Sequence, residues 1–365
     1  MLMMKQSLFI FLMATCFSVT GCGKTTETPS QPTGGGTATP MAKRRPASIG
    51  IVGDTSNVVK PTNGGMVLMG GGADVDAAFK WMIERSGGGD VVVLRATGTD
   101  AYNPYINGLG SVNSVETLLI NTKALANNDT VAYIIRNAEM VFIAGGDQSD
   151  YMRNWKGTKT EQALNYLLND KKAPVGGTSA GCAILGGFYY SGETGGVTSA
   201  QALANTYDAN ITLYNNDFLK APYLQNVITD QHYLTRDRDG RSAVFLGRIN
   251  KDWKTPAKCI AADERTAVCI DKDGMAKVFG DYSVTRPYSY AYFISSDAGK
   301  QPEQMEAFKK AIWNNGEKAL AVYEITASVN GGGNFNVANF KANEATGGKW
   351  YWWWIDNGAL NKKDQ

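Results

Sequence analysis

The stretch Val175-Gly-Gly-Thr-Ser-Ala-Gly-Cys-Ala-Ile-Leu-Gly-Gly187 combines the end of a strand, a glycine-rich turn and the start of a buried helix. Residues 177–181 within it match G-x-S-x-G, the pattern of a nucleophile elbow. Such a turn is strained and crowded, so glycines fit beside the serine at low cost. The pattern predicts that Ser179 projects at a helix N-terminus, where developing negative charge is stabilised. The alternative is a tight turn that only happens to hold a serine.

A serine nucleophile needs a base, and His232 is the only histidine of the 365-residue chain. It follows the apolar pair Val227-Ile228 in a very polar stretch, which indicates a loop at the end of a strand. An acid that orients the imidazole could be Asp263 or Glu264, which lie between two apolar runs. The residues alone leave both acids open. A histidine without chemistry and a charged hairpin turn are the alternatives.

Apolar runs alternate with helical patterns over the first half of the chain. The predicted strands cover residues 66–72 with their loop, 90–94, 115–120 and 140–144, and the predicted helices cover 74–85, 129–137 and 160–168. This alternation predicts an α/β fold with a mainly parallel sheet covered on both faces. Sites in such folds lie at the carboxyl ends of the strands. The glycine loops at 70–72 and 145–147, and Ser179, all fall at such ends.

Four segments in this order resemble those of cyanophycinase and related serine peptidases, which are similar to the aspartyl dipeptidases. The segments are 142–148 with G-G-D-Q, 176–181 with the elbow, 230–241 with D-x-H-x-x-x-R-x-R-x-G-R, and 263–267 with D-E-x-T-A. Tyr233 stands where the family usually has Phe. The chain order also argues against an α/β-hydrolase, in which the acid precedes the histidine. Here His232 precedes the best acid candidate.

The resemblance implies a flavodoxin-like (class I glutamine amidotransferase-like) three-layer α/β/α sandwich. It also implies a catalytic triad of Ser179, His232 and Glu264, with backbone groups of Gly146 and Ala180 binding the oxyanion. The residues implied in substrate binding are Asp147, Gln148, Asp230, Gln231, Arg236, Arg238 and Arg241. The guanidinium fork suits substrate carboxylates, whereas a solvated charge cluster is the alternative for the arginines.

The implied activity is hydrolysis of β-aspartyl-arginine units of the polymer cyanophycin, or of related isoaspartyl peptides. Two other functions stay open on the sequence. One is an α-aspartyl dipeptidase or an esterase of the same fold. The other is a catalytically inactive surface-binding lipoprotein.

Residues 1–21 have the features of a lipoprotein signal peptide. Lys5 supplies a positive start, residues 8–17 form a short apolar core, and Val19-Thr-Gly-Cys22 is a lipobox. A membrane-spanning helix would need about 20 apolar residues. Cleavage before Cys22 would leave a lipid-bearing cysteine on residues 22–45, a Thr-, Pro- and Gly-rich segment typical of a flexible tether. The expected location is the bacterial cell envelope, either periplasmic or at the cell surface.

The rest of the chain is predicted to form a hydrolase domain at 46–329 and a tryptophan-rich β appendage at 330–365. Strand patterns at 336–340 and 349–355 indicate a hairpin or an edge pair in the appendage. Trp350, Trp352, Trp353 and Trp354 cluster there. Packing on the main domain is favoured over contact with a sugar or a membrane, because aromatic residues favour strands and large buried contacts.

Composition restricts the partners. The net charge of +2 gives no reason to expect nucleic acid. No Cys/His cluster indicates a metal, a single histidine argues against zinc, and no cofactor is expected. Cys259 and Cys269 flank the acid segment, and the sequence leaves a disulfide between them open. The expected partners are a peptide substrate and, through the lipid, a membrane, with a homodimer left open.

Overall fold

The computed structural model of the chain describes residues 45–281, 289–297, 299–341 and 344–365. The predicted signal peptide, the lipidated Cys22 and nearly all of the predicted tether lie outside the described residues. None of the described helices is both long enough and apolar enough to cross a membrane.

The described chain alternates strands and helices before it becomes mainly β. The strands are β1 Ser48–Gly53, β2 Gly65–Met69, β3 Asp90–Arg95, β4 Ser114–Leu119, β5 Met140–Ile143, β6 Pro174–Thr178, β7 Phe188–Tyr190, β8 Leu213–Asn215, β9 Val227–Asp230, β10 Lys258–Ala262, β11 Thr266–Asp271, β12 Met275–Gly280, β13 Tyr290–Ser296, β14 Leu320–Thr326, β15 Gly332–Asn336, β16 Gly348–Asp356 and β17 Ala359–Asp364. The helices are α1 Asp76–Arg85, α2 Tyr102–Leu109, α3 Lys123–Ala126, α4 Asp129–Asn137, α5 Gln148–Trp155, α6 Lys159–Tyr166, α7 Ala180–Ala183, α8 Ser199–Ala204 and α9 Asp239–Trp253.

The first sheet carries the predicted parallel core. Among the described residues it has nine strands in the order β1-β4-β3-β5-β6-β2-β11-β12-β15. The five strands from β4 to β2 in this order are parallel to one another, and the strands on either side are antiparallel. Continuous apolar runs such as Val91 to Leu94 are fully buried, as expected for a parallel strand covered on both faces. The prediction of an α/β fold is confirmed.

Both faces of this sheet are covered. On one face, Phe79 and Met82 of α1 and Ile106 of α2 pack on the strands. The other face packs on α4, α5 and α6 in one part and on strands of a second sheet in another, so that Ile135, Trp155 and Phe293 belong to one core.

The second sheet is an unexpected feature. The described part of the chain gives it eight strands in the order β17-β16-β14-β13-β10-β9-β7-β8, which are antiparallel except around β9. Its outer face is covered by α8 and α9. Val227 of β9 and Ile260 of β10 pack in the core shared with the first sheet, whereas β11, which follows β10, pairs directly with β2 of the first sheet.

The tryptophan-rich end differs from the expected appendage. β15 extends the first sheet by pairing with β12, whereas β16 extends the second sheet by pairing with β14. Residues 336–340, predicted as a strand, are mostly a turn that follows β15, whereas the strand predicted at 349–355 corresponds to β16. β15 and β16 belong to different sheets, so the predicted hairpin or edge pair does not form. The physical reason lies in their apolar residues, since Phe335 belongs to the core between the sheets and Trp353 to the core under α9.

Cys259 and Cys269 are free buried thiols and do not form the disulfide that the sequence left open. Cys259 lies in β10 of the second sheet and Cys269 in β11 of the first. The acid segment between them is held by strand pairing instead.

Candidate active site

Ser179 occupies the turn between β6 and α7, as the elbow pattern predicts. Its backbone has φ 50° and ψ −119°, a strained region for a residue with a side chain. The start of α7 passes too close to β5 for a larger residue, because a Cβ on Gly181 would lie 2.2 Å from the carbonyl oxygen of Ile143. The Ser179 N–H donates to the carbonyl of Met69 at 3.1 Å. The helix after the turn is shorter than predicted and ends at Ala183.

His232 begins the loop after β9, as predicted, and is 6% exposed. Its backbone also has a positive φ, 49°, and its N–H donates to the carbonyl of Gly70 at 2.8 Å. The imidazole packs on the next glycine, since a Cβ on Gly71 would lie 2.3 Å from its Cε1 atom. The loop after β2 therefore contacts both the backbone and the ring of the histidine.

The structure joins the three predicted triad residues by hydrogen bonds. Ser179 Oγ lies 2.7 Å from His232 Nε2, and His232 Nδ1 lies 2.6 Å from Glu264 Oε1. A carboxylate only accepts, so Nδ1 carries the proton and Nε2 accepts from the serine hydroxyl. This arrangement can take the serine proton during nucleophilic attack.

The other acid candidate has a different partner. Asp263 is fully buried, and its Oδ1 accepts from the N–H of Thr235 at 3.0 Å and from its hydroxyl at 2.8 Å. Of the two acid candidates, Glu264 is the one that is hydrogen-bonded to the imidazole.

The charge state of the imidazole suits a base. Burial lowers the pKa of His232 below its usual value, and the guanidinium groups of Arg236 and Arg238 lower it further. The hydrogen bond to Glu264 raises the pKa and offsets part of this effect. The ring is therefore neutral at pH 7 and able to accept a proton.

Two backbone N–H groups beside Ser179 are available to an oxyanion. Gly146 and Ala180 donate to no acceptor among the described residues. Ala180 begins α7, whose first N–H groups have no partner within the helix. The 145–147 loop lies close to Ser179 in space, because a Cβ on Gly145 would lie 3.3 Å from the Ser179 Cβ.

Asp147 and Gln148 stand at the start of α5, near the site. Asp147 caps this helix, with its Oδ1 accepting from the N–H of Ser149 at 2.9 Å. The Gln148 side chain extends toward a second loop, and its Nε2 lies 3.1 Å from where a Cβ on Gly192 would be. Gln148 thus lies against the loop that contains Gly192, whereas the contact that explains Asp147 is a helix cap.

Asp230 and Arg241, both predicted to bind substrate, instead form a buried ion pair. They are 2% and 4% exposed. Arg241 Nε and Nη2 donate to the two carboxylate oxygens of Asp230 at 3.0 and 2.5 Å, and the Ser242 hydroxyl donates at 2.7 Å. Their polar groups are occupied and closed to solvent. The pair holds the end of β9 against the start of α9.

The other two arginines differ in exposure. Arg238 is mostly buried, donates to the carbonyl of Gln231 at 2.7 Å and lies 3.6 Å from Asp230, while burial lowers its pKa to about 10. Gln231 itself is 4% exposed. The Arg236 side chain is 54% exposed, and its Nε lies 4.0 Å from Glu264 Oε1. Of the three predicted arginines, Arg236 is the one that a substrate can reach.

The comparisons with known proteins identify the family of the chain. Residues 95–278 match the profile of peptidase family S51. The chain belongs to peptidase family S51. Like the family, it is a serine-type peptidase, and the resemblance noted in the sequence is confirmed.

Curated relatives of this S51 peptidase include cyanophycinases. The cyanophycinase of Synechococcus elongatus is 25% identical over 253 residues, which cover 65% of this chain and 73% of the relative. That of Trichormus variabilis is 27% identical over 175 residues, covering 47% and 52%. A solved peptidase from an acI-B1 Actinobacterium has 18% identity and a TM-score of 0.43, covering 60% of this chain and 89% of its own.

Some residues around the candidate site were not identified from the sequence, because none of them is a defining residue of a recognisable motif. Tyr151 donates to the carbonyls of Ala144 at 2.7 Å and Gly145 at 3.0 Å and so fixes the loop beside Ser179. Thr235 was not singled out from the sequence, although it lies inside the arginine signature. Within the ranges described, no group of three or more His, Cys, Asp or Glu residues could hold a metal ion.

Proposed function

We propose that this S51 peptidase hydrolyses β-aspartyl-arginine units of cyanophycin or related isoaspartyl peptides through Ser179, His232 and Glu264. The observation that carries the proposal is the unbroken hydrogen-bond chain of 2.7 and 2.6 Å from the serine hydroxyl to the carboxylate. The substrate class comes from the cyanophycinases, to which the chain is similar.

In the proposed reaction, Ser179 Oγ attacks the substrate carbonyl carbon while its proton passes to His232 Nε2. The carbonyl oxygen becomes an oxyanion, which the N–H groups of Gly146 and Ala180 stabilise. Collapse breaks the C–N bond, and His232 gives its proton to the leaving amine. Water then attacks the acyl-serine ester, again losing a proton to His232, and the acid product leaves as Ser179 regains its hydrogen. Glu264 holds the Nδ1 proton and stabilises the imidazolium throughout.

The exposed charge near the proposed triad supports an aspartyl substrate. Arg236 presents an exposed guanidinium next to Glu264 and can pair with a carboxylate of an aspartyl substrate. Gln148 lies at the start of α5 and adds a neutral polar group. We assign Arg236 and Gln148 to substrate binding and give Asp230 and Arg241 a structural role.

A substrate panel tests the proposal. Purified protein is assayed on cyanophycin, β-aspartyl-arginine, an α-aspartyl dipeptide and a small ester, with Ser179→Ala as the inactive reference. We expect cleavage of the isoaspartyl substrates and none by Ser179→Ala. A preference for the α-aspartyl dipeptide or the ester would place the chain in another substrate class, and hydrolysis by Ser179→Ala would refute the mechanism.

A matched pair of arginine variants tests the binding role. Arg236→Gln should raise KM for carboxylate-bearing substrates more than it lowers kcat. Arg136→Gln removes an exposed arginine from the last turn of α4, at the other end of the sheet, and should leave KM unchanged. Equal KM values for the two variants would exclude Arg236 from substrate binding.

We also propose that the peptidase is lipid-anchored through Cys22 in the bacterial cell envelope. A separate proposal is that the parallel part of the first sheet, with its helices, is a flavodoxin-like core. The lipobox and the short apolar run before it support the anchor. The five parallel strands with helices on both sides support the core. Cys22→Ser should release the protein from the membrane fraction or leave the signal peptide uncleaved, and unchanged fractionation and mass would refute the anchor.

A further inference from the structure

Asp263 is a buried carboxylate that the proposed mechanism does not use. It is 0% exposed and forms no ion pair with any lysine or arginine of the described ranges. Its Oδ1 atom accepts two hydrogen bonds from one residue, Thr235, through the backbone N–H and the hydroxyl. Burying a polar side chain costs free energy unless it is hydrogen-bonded, and the other carboxyl oxygen, Oδ2, has no hydrogen-bond partner in the described part of the chain. The two bonds to Oδ1 are therefore the contacts that account for this residue.

Thr235 belongs to the turn that His232 begins. The N–H of Arg236 donates to the His232 carbonyl at 3.0 Å, which closes one helix-like turn. The first N–H groups of such a turn have no acceptor inside it. Asp263 supplies the acceptor for Thr235 from a different strand connection and so caps this turn.

The His232 backbone needs support from outside. Its φ of 49° is sparsely populated by residues with a side chain and persists only where neighbours determine it. Gly70 holds the N–H of His232, and Asp263 holds the turn three residues later. The histidine is thus fixed on both sides.

Asp263 and Glu264 are consecutive, and their side chains contact the same segment at different points. Glu264 binds the imidazole, and Asp263 binds the backbone that carries the imidazole. The distance of 2.6 Å between Nδ1 and Glu264 Oε1 therefore depends on how residues 263 and 264 are placed relative to the turn that carries His232. We call this relative placement the register.

We propose that Asp263 is a positioning residue that sets this register and so keeps the His232 ring aligned between Ser179 and Glu264. The inference rests on the proposed triad. Asp263 touches neither substrate nor a reacting atom, and the feature that matters is the acceptor Oδ1 rather than the negative charge. The amide of Asn keeps such an acceptor, whereas the methyl of Ala does not.

The single histidine makes the test direct. With ¹⁵N-labelled histidine, the NMR spectrum contains signals of His232 alone, and its two ring nitrogens report the tautomer. We expect the Nδ1–H tautomer in the wild type and in Asp263→Asn, and a mixture of tautomers in Asp263→Ala. Because a displacement near 1 Å can cost about 10²-fold in rate, kcat of Asp263→Ala should fall on the order of 10²-fold while KM changes little. Asp263→Asn should recover most of that loss.

Two further variants keep the test decisive if Asp263→Ala folds poorly. Thr235→Val removes the hydroxyl donor but keeps the N–H, and it should give a smaller loss of kcat in the same direction. Glu139→Ala is a control for buried carboxylates in general, because Glu139 also accepts a backbone N–H, from Asp90 at 2.8 Å, although it additionally pairs with Lys171 at 2.8 Å and lies at the far end of the sheet. It should lower the melting temperature without changing the His232 signals.

The outcomes separate this inference from the proposed function. If Ser179→Ala retains hydrolysis, the triad itself fails. If Ser179→Ala is inactive while Asp263→Ala and Thr235→Val keep the wild-type tautomer and kcat, only the positioning role is refuted. A melting temperature lowered equally by Asp263→Ala and Glu139→Ala, with unchanged His232 signals in both, would also reduce Asp263 to a structural residue.

Discussion

At the scale of single residues, the end of β2 and the loop after it contact all three members of the proposed triad. The Met69 carbonyl binds the N–H of Ser179, and the Gly70 carbonyl binds the N–H of His232. Gly71 packs on the imidazole, and a Cβ on Gly72 would lie 3.0 Å from Glu264 Oε2. Both Ser179 and His232 have strained backbones, so this rigid loop compensates for the strain by fixing them together.

The triad should behave as one unit. Ser179→Ala, His232→Ala and their double mutant should each lose at least about 10⁴-fold in kcat and be nearly equal, because residues acting together are not additive. Glu264→Gln should cost less, since the amide oxygen can still accept from Nδ1 and mainly charge stabilisation is lost. Steady-state kinetics on folded variants checks this. Near-normal kcat in His232→Ala would exclude the serine–histidine mechanism.

The pH dependence of kcat/KM should follow the His232 pKa. Only the neutral imidazole accepts a proton, so activity rises with pH through a single ionisation. Burial and the two nearby arginines lower this pKa, which places the midpoint of the rise below about 6.5, the ordinary histidine value. Arg236→Gln removes one cation and should move the midpoint upward. A midpoint above the ordinary value, or a downward move in Arg236→Gln, would contradict this electrostatic account.

At the scale of elements, local signals decided which parts could be predicted. Helix α4 has the predicted bounds, because Asn128 caps it and Asp129 lies in its first turn. Helix α6 ends earlier than predicted and continues as a π-helical turn, Leu167–Lys171, for which the sequence carries no signal. The elbow and the acid segment were also predicted, since each is a short motif of neighbouring residues.

The arginine signature shows where prediction from the sequence stops. Arg236, Arg238 and Arg241 look alike in the chain, yet one is exposed, one is mostly buried and one is paired with Asp230. The difference arises from the start of α9 and its contact with β9, which are long-range features. No spacing rule separates an arginine that binds substrate from one that binds a buried aspartate.

A pair of glycine variants tests the elbow as an element. Gly181→Ala places a methyl group 2.2 Å from a strand carbonyl and should cost about 1–3 kcal/mol or more in stability, with loss of activity. Gly108→Ala lies within α2 and meets nothing within 4 Å, so it should stabilise the protein by about 0.5–1 kcal/mol. Thermal unfolding and kcat/KM check both. Equal stability of the two variants would show that α7 does not pass tightly against the end of β5.

At the scale of the whole molecule, the second sheet is the part that the sequence did not reveal. Its strands are antiparallel except around β9 and come from separate regions between β7 and β17, so neighbouring strands are often distant in the chain. Alternating strand and helix patterns identified the parallel sheet, but no pattern specifies that β10 pairs with β9 on one side and β13 on the other. The same limit explains why residues 336–340 and 349–355 were wrongly predicted to pair with each other.

The tryptophans of β16 separate a packing role from a binding role. Trp353 is 1% exposed and contacts Tyr292, with ring centroids 5.8 Å apart, in the core under α9. Its neighbour Trp352 is half-buried and lies under Lys300, whose Nζ is 4.6 Å from the ring centroid. Alternation along the strand thus sends one ring to the core and the next to the surface.

Substituting these two neighbours gives a matched test on the same strand. Trp353→Ala should lower the free energy of unfolding by about 3–5 kcal/mol, because it leaves a large cavity in the core. Trp352→Ala should cost about 0.5–1 kcal/mol, the value of an exposed cation–π contact. Chemical denaturation measures both, and activity on cyanophycin and on a dipeptide is compared in parallel. Equal destabilisation would contradict the packing described for β16. A loss confined to the polymer substrate in Trp352→Ala would instead assign the surface ring to substrate binding.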